Sequence, residues 1–125
     1  MNIAGANQVA SGSSQLAIAQ EMGPTSLLPG DGAIPLISGG YVVTKGSAAA
    51  LTIAAPAAAD VGTRIRVTSD SAFAHVITFT GNTLRGGTAA VATATFAAQA
   101  GSGISIECFI VGKWHVITNV VATLA

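Results

Sequence analysis

The stretch "GISIECFIVGKWHVITN", residues 103–119, decides how this chain is read. It is the densest apolar segment in a sequence otherwise dominated by Ala, Gly, Thr and Ser. Its halves, "GISIECFIV" and "KWHVITN", read as paired strands joined at Gly112 and Lys113. A glycine followed by almost any residue suits a two-residue type II′ turn, whose twist matches the strands it joins. Phe109, Ile110 and Val111 leave the first strand partly apolar on both faces over residues 104–111. Such a strand needs two partners, either a second sheet or a neighbouring subunit.

Upstream, the same kind of pattern recurs. "YVVT" opens a strand region at Tyr41, and "ALTIA" alternates Leu51 and Ile53 against Thr52 before Pro56 ends it. "TRIRVTS" sets Ile65 and Val67 on one face and Arg64, Arg66 and Thr68 on the other, the period of a half-buried strand. "HVITFT" repeats that logic and is followed by turn chemistry at Gly81 and Asn82. In residues 92–97 alanine favours helix while Thr, Val and the flanking glycines favour strand; strand is expected. Strands every ten or so residues with turns between them predict an all-β sandwich or jelly-roll-like barrel over residues 41–125.

Residues 1–40 differ. They hold three of the four prolines, no aromatic and no basic residue. Isolated apolar residues stand between breakers: Leu16, Ile18, Leu27, Leu28, Ile34, Leu36 and Ile37. Such a segment does not build a core alone, but it can lie extended over another surface and place side chains at intervals. An N-terminal arm is expected here, with Leu16, Ile18, Leu27, Leu28, Ile34 and Leu36 as anchors on a partner or a neighbouring subunit.

Composition narrows the function. Only 8% of the 125 residues are charged, and five acids balance five bases. A nucleic-acid binder needs clustered cations to displace counterions, and here only Arg64 and Arg66 lie close together, so no nucleic-acid partner is expected. A neutral surface also lacks the self-repulsion that keeps monomers apart, which favours association with other proteins. The single cysteine excludes an intrachain disulfide. No signal peptide is expected, since the first basic residue is Lys45, and the charge-free run over residues 86–106 is too polar to cross a bilayer, so no membrane partner is expected.

Chemistry is sparse. Nucleophilic catalysis needs a nucleophile, a base and an orienting group, and nothing in the sequence groups Cys108, His75, His115 and the five carboxylates. Neither histidine stands in a zinc-binding spacing. Asp31 in "PGDGA" and Asp60 in "AADVGT" read as turn caps. "SGGY" and "RGGT" lack the spacing of a phosphate loop. No enzyme activity, cofactor, metal or small-molecule substrate is expected. Cys108 reads as a small buried hydrophobe. Trp114 reads as a core or interface anchor rather than a stacking platform, with Phe109 and Val111 beside it as residues that pack one subunit on the next.

The run "SGGYVVTKGSAAALTIAAPAAADVGTRIRVTSDSAFAHVITFTG", residues 38–81, with the closing "GSGISIECFIVGKWHVIT", resembles a small β-rich module of bacteriophage virion proteins. Head decoration, cement and head-fibre proteins carry it, and the likeness extends over about residues 31–120. The resemblance implies a homotrimer that binds the major capsid protein on the capsid exterior, is assembled in the host cytoplasm and stabilises the shell. It carries over no catalytic residue. A phage fibre or adhesin tip holding host glycans through Trp114 is the alternative expectation.

Overall fold

The structure, a computed structural model, describes residues 25–87 and 90–125; Leu16 and Ile18 lie outside the described residues. The described chain is all-β: β1 Thr25–Leu28, β2 Gly32–Ala33, β3 Gly39–Val43, β4 Ala50–Ile53, β5 Arg64–Ser69, β6 Val76–Phe79, β7 Leu84–Arg85, β8 Thr93–Phe96, β9 Gly103–Ile110, β10 Lys113–Val120 and β11 Ala122–Leu124. A single 3-10 turn, Ala58–Asp60, interrupts it. Alternation makes the strands: β5 buries Ile65, Val67 and Ser69 and exposes Arg64, Arg66 and Thr68, and β4 buries Leu51 and Ile53 around Thr52.

Two sheets form a sandwich. The larger has the order β1-β3-β5-β9-β10-β7 and the smaller β11-β8-β6-β4-β2. The first eight strands pass alternately from one sheet to the other, and β1, β3 and β5 run parallel, as do β2, β4 and β6. Parallel neighbours cannot be joined by a tight turn and need a crossover, most often a helix. Here each crossover is a strand of the facing sheet, so the chain winds as a flattened coil. Antiparallel pairs then extend both sheets, β9 on β5 and β10 on β9 in one, β8 on β6 and β11 on β8 in the other, and β7 ends the larger sheet parallel to β10.

Residues 25–40 supply β1, β2 and the start of β3 to these sheets. Their glycines and prolines turn the coil's corners, and Gly32 takes φ +135, a conformation that side chains oppose. Ile34 is 2% exposed and belongs to the core. The rest of that core comes from inward positions of both sheets, including Val43, Ile65, Ile106 and Trp114 from the larger and Ile53, Ile77, Phe79 and Phe96 from the smaller.

The closing hairpin differs from expectation by one residue. Lys113 pairs with Ile110, so Val111 and Gly112 form the loop, and the positive φ of +80 falls on its second residue. A type II′ turn needs it on the first. Register shifts between Lys113 and His115 and between Val116 and Thr118 bend β10 further. After β10 the chain switches sheets through Val121 at φ +47, a left-handed conformation that costs a β-branched residue on the order of 1–2 kcal/mol. Asn119 offsets this by accepting from the Ala122 N–H at 2.9 Å and donating to the Ala122 carbonyl at 3.0 Å.

Gly103 sets the contact between β5 and β9. A Cβ there would collide with the Val67 carbonyl oxygen and stand 2.9 Å from Thr68 Cα, both of them backbone that cannot move aside alone. Gly103→Ala should therefore destabilise the fold by about 2 kcal/mol or more in chemical denaturation, on the scale of other overpacked sites; an unchanged midpoint would disprove the tight contact.

His75 is fully buried, and its hydrogen bonds specify one tautomer. Nδ1 accepts from the Ala49 N–H at 3.0 Å. The Ser71 hydroxyl gives its hydrogen to the Lys45 carbonyl at 2.8 Å, so the 2.9 Å contact with Nε2 requires Nε2–H to donate. Burial pushes the pKa of this neutral ring down. The unfolded chain then binds a proton that the folded chain resists, so His75 stabilises the fold fully above about pH 6.5 and progressively less as pH falls below it. Melting temperature should drop from pH 7.5 to pH 5, and His75→Gln, which leaves His115 in place, should be less stable but flatter over that range. An equal slope in the variant would assign the pH dependence elsewhere.

Candidate functional site

The outer face of the larger sheet carries all three arginines and Glu107. Because β5 pairs with β9 and β9 with β10, residues distant in sequence fall into rows across the strands. One row joins Arg64, Glu107 and His115, with Arg85 of β7 beyond. The next joins Thr25, Gly40, Arg66, Ser105 and Thr118, and a third joins Leu27, Val42, Thr68, Gly103 and Val120.

In the first row Arg64 is matched by Glu107, while Arg85 turns to the backbone carbonyls of Asn82 and Leu84. Arg64 Nε donates to Glu107 Oε1 at 2.9 Å, and the Arg64 backbone N–H donates to Ser38 Oγ at 3.1 Å. The Arg64 side chain is exposed, so this pair orders the surface more than it stabilises the fold. The His115 ring meets Phe109 edge-on at 5.5 Å, and its buried Nδ1 has no hydrogen-bond partner among the described residues.

The second and third rows enclose a trough of about 220 Å³, and a hollow of about 250 Å³ adjoins it, sharing Arg66, Ser105 and Thr118. Glycine makes the depression. A Cβ at Gly40 would stand 2.9 Å from Arg66 Nη2, so the guanidinium lies across the space that a side chain would fill, toward Thr25. Arg66 is the trough's one charged lining residue, and no described carboxylate lies within ion-pair distance of it.

The second surface is apolar. β9 faces Ile104, Ile106 and Cys108 inward and Ser105 and Glu107 outward, but beyond Cys108 the hairpin leaves the sandwich. Phe109, Ile110 and Val111 are each more than half exposed at its tip. Gly112 N–H donates to the Pro56 carbonyl and Gly62 N–H to that of Cys108, which sets the tip against residues 54–62, including exposed Val61.

The residues expected to make contacts fall in three places. Leu27 is 66% exposed, Leu28 and Leu36 are half-buried against the core, and Ile34 lies inside it. Phe109 and Val111 are exposed and available to a neighbour. Trp114 is fully buried within its own chain, and its indole N–H donates to the Ala54 carbonyl at 2.9 Å. It joins the two sheets and presents no ring face to a second subunit or a sugar: of the two places expected for it, core anchor and subunit contact, it takes the first. The exposed apolar side chains of Ile117, Val120 and Val121, and the trough around Arg66, were missed. Outward polar residues on β5 were legible from the sequence; which strand lies beside β5 was not.

Cys108 is buried, its S–H donates to the Ile110 carbonyl at 3.2 Å, and burial raises its pKa, so the thiol stays protonated and unreactive at neutral pH. Among the described residues no three of His, Cys, Asp or Glu gather as metal ligands. Asp31 accepts from Lys45 Nζ at 2.7 Å and from the Ala50 N–H at 2.9 Å, the Lys45 hydrogen bond above all holding its carboxyl below the usual range. Asp60 accepts from the Ala57 N–H at 2.8 Å. Both act as loop clamps.

Compared with known proteins, the chain matches no family model, no curated protein and no solved structure.

As the chain's one tryptophan, Trp114 reports directly on this packing. Its emission should be blue-shifted and resist iodide quenching until the chain unfolds, and Trp114→Phe should cost about 2–4 kcal/mol through the lost volume and the unpaired Ala54 carbonyl. Emission quenched freely in the folded protein would place the ring at the surface instead.

Proposed function

We propose that the protein decorates and cements a bacteriophage capsid. In this reading it is a homotrimer on the outer surface of the virion, assembled in the host cytoplasm, and it binds the major capsid protein where neighbouring capsomers meet. The observation that carries the reading is the exposed tip of Phe109, Ile110 and Val111 on a rigid, nearly charge-free sandwich. Three adjacent exposed apolar residues on a compact body fit a surface that another protein covers. The trimer multiplies that contact: three modest contacts with a preformed lattice hold tightly, because the second and third form at high effective concentration. The resemblance of residues 38–81 to phage decoration modules supports the same reading.

The alternative, an adhesin tip that stacks host glycans on Trp114, loses its platform with the indole inside the core.

Capsids purified with and without the protein provide the test. Decorated capsids should release their genome at a higher temperature, and the double substitution Phe109→Ser, Ile110→Ser should leave a folded protein that no longer binds them. Equal release temperatures with and without the protein would sink the cementing role.

A further inference from the structure

We infer that the trough around Arg66 is a docking site for an extended polypeptide segment that presents one acidic side chain. The argument starts from charge. Arg64 is matched by Glu107, whereas Arg66, two positions along the same strand face, is the one charged residue lining a trough of about 220 Å³. A guanidinium offers a fixed fork of donors that matches a carboxylate in two parallel hydrogen bonds. The absent Cβ of Gly40 lets that fork lie down against the sheet, within the trough. The hydroxyls of Thr25, Ser105 and Thr118 line the same trough and can both donate and accept, as the backbone amides of an extended chain require.

Shape favours a peptide over a sugar. The trough crosses the sheet from Thr25 on β1 through β3, β5 and β9 to Thr118 on β10. Four strand steps of about 4.8 Å make a run of about 19 Å, the length of about six extended residues at roughly 3.3 Å each. Val42 and Val120 add apolar contacts, and no aromatic face that a sugar would stack on opens into the trough: Tyr41 turns its ring to the core and gives its hydroxyl to the Ile37 carbonyl. The glutamate or aspartate of such a segment would set its carboxylate on the Arg66 fork where that fork lies across the trough.

This deepens the capsid reading by naming the chemistry that a protein partner offers, and its test uses the isolated protein, so either can fail alone. The full chain, labelled with 15N, is titrated with a capped hexapeptide of alternating threonine and valine carrying one central glutamate. The same peptide with glutamine, and free glucuronic acid, form the comparison arms. Saturable shift changes are expected at the amides of Gly40, Arg66, Ser105 and Thr118, with affinity about tenfold weaker for the glutamine peptide, the size of one exposed charge-assisted contact. Arg66→Gln should erase the difference between the two peptides. Arg66 is exposed, so the variant should melt with the parent, and the glutamine peptide tests the carboxylate on the unaltered protein in any case. Equal affinity for both peptides, shifts elsewhere on the protein, no shifts, or tighter binding of glucuronic acid would each overturn the inference.

Discussion

The pairing of β5 with β9 is the contact on which the rest of this protein depends. It is the seam between the parallel coil and the antiparallel closing strands, and its register decides both sides of the larger sheet at once. Inward, Ile65 meets Ile106 and Val67 meets Ile104, forming the centre of the core. Outward, Arg64 meets Glu107 and Arg66 meets Ser105, which matches one cation and leaves the other without an ion-pair partner among the described residues. A one-residue slip would exchange the two faces and put arginines into the core. Gly103 holds the register by allowing a backbone approach that no side chain permits.

From that seam the hairpin acquires two unlike ends. Near β5 it is ordinary sandwich, with Ile104, Ile106 and Trp114 inside. Past Cys108 both the outward Phe109 and the next residue, Ile110, are exposed, so the inner face is no longer covered there. The two-sided apolarity of the strand is real, yet it belongs to the tip alone. Phe109, Ile110 and Val111 are each more than half exposed in one chain, while Trp114 bonds to Ala54 across the sandwich. Packing and presentation are thus divided along a single hairpin.

The fold also manages its weak points locally. Glycines and prolines turn the corners of the coil, the Asn119 side chain braces the strained sheet switch at Val121, and Asp31 and Asp60 clamp loops through backbone N–H groups. His75 is the one buried titratable ring that this scheme depends on, neutral and bonded at both nitrogens. Few residues are charged, and most of those described tie loops or strands together.

Much was legible in residue order. Period-two runs such as "TRIRVTS" and "ALTIA" identify their strands and inward residues, because a strand half-buried in a sheet must alternate. The scarcity of charge, the lone cysteine and the turn residues were equally plain. Strand neighbours were not. Alternation says which face of a strand is buried and nothing about which strand lies beside it, so the parallel coil, the place of residues 25–40 within it and the trough around Arg66 follow from long-range pairing alone. Trp114 and Phe109 make the same point: five residues apart on one hairpin and both aromatic, they differ in exposure because Trp114 faces the second sheet while Phe109 stands on the outer face beside His115.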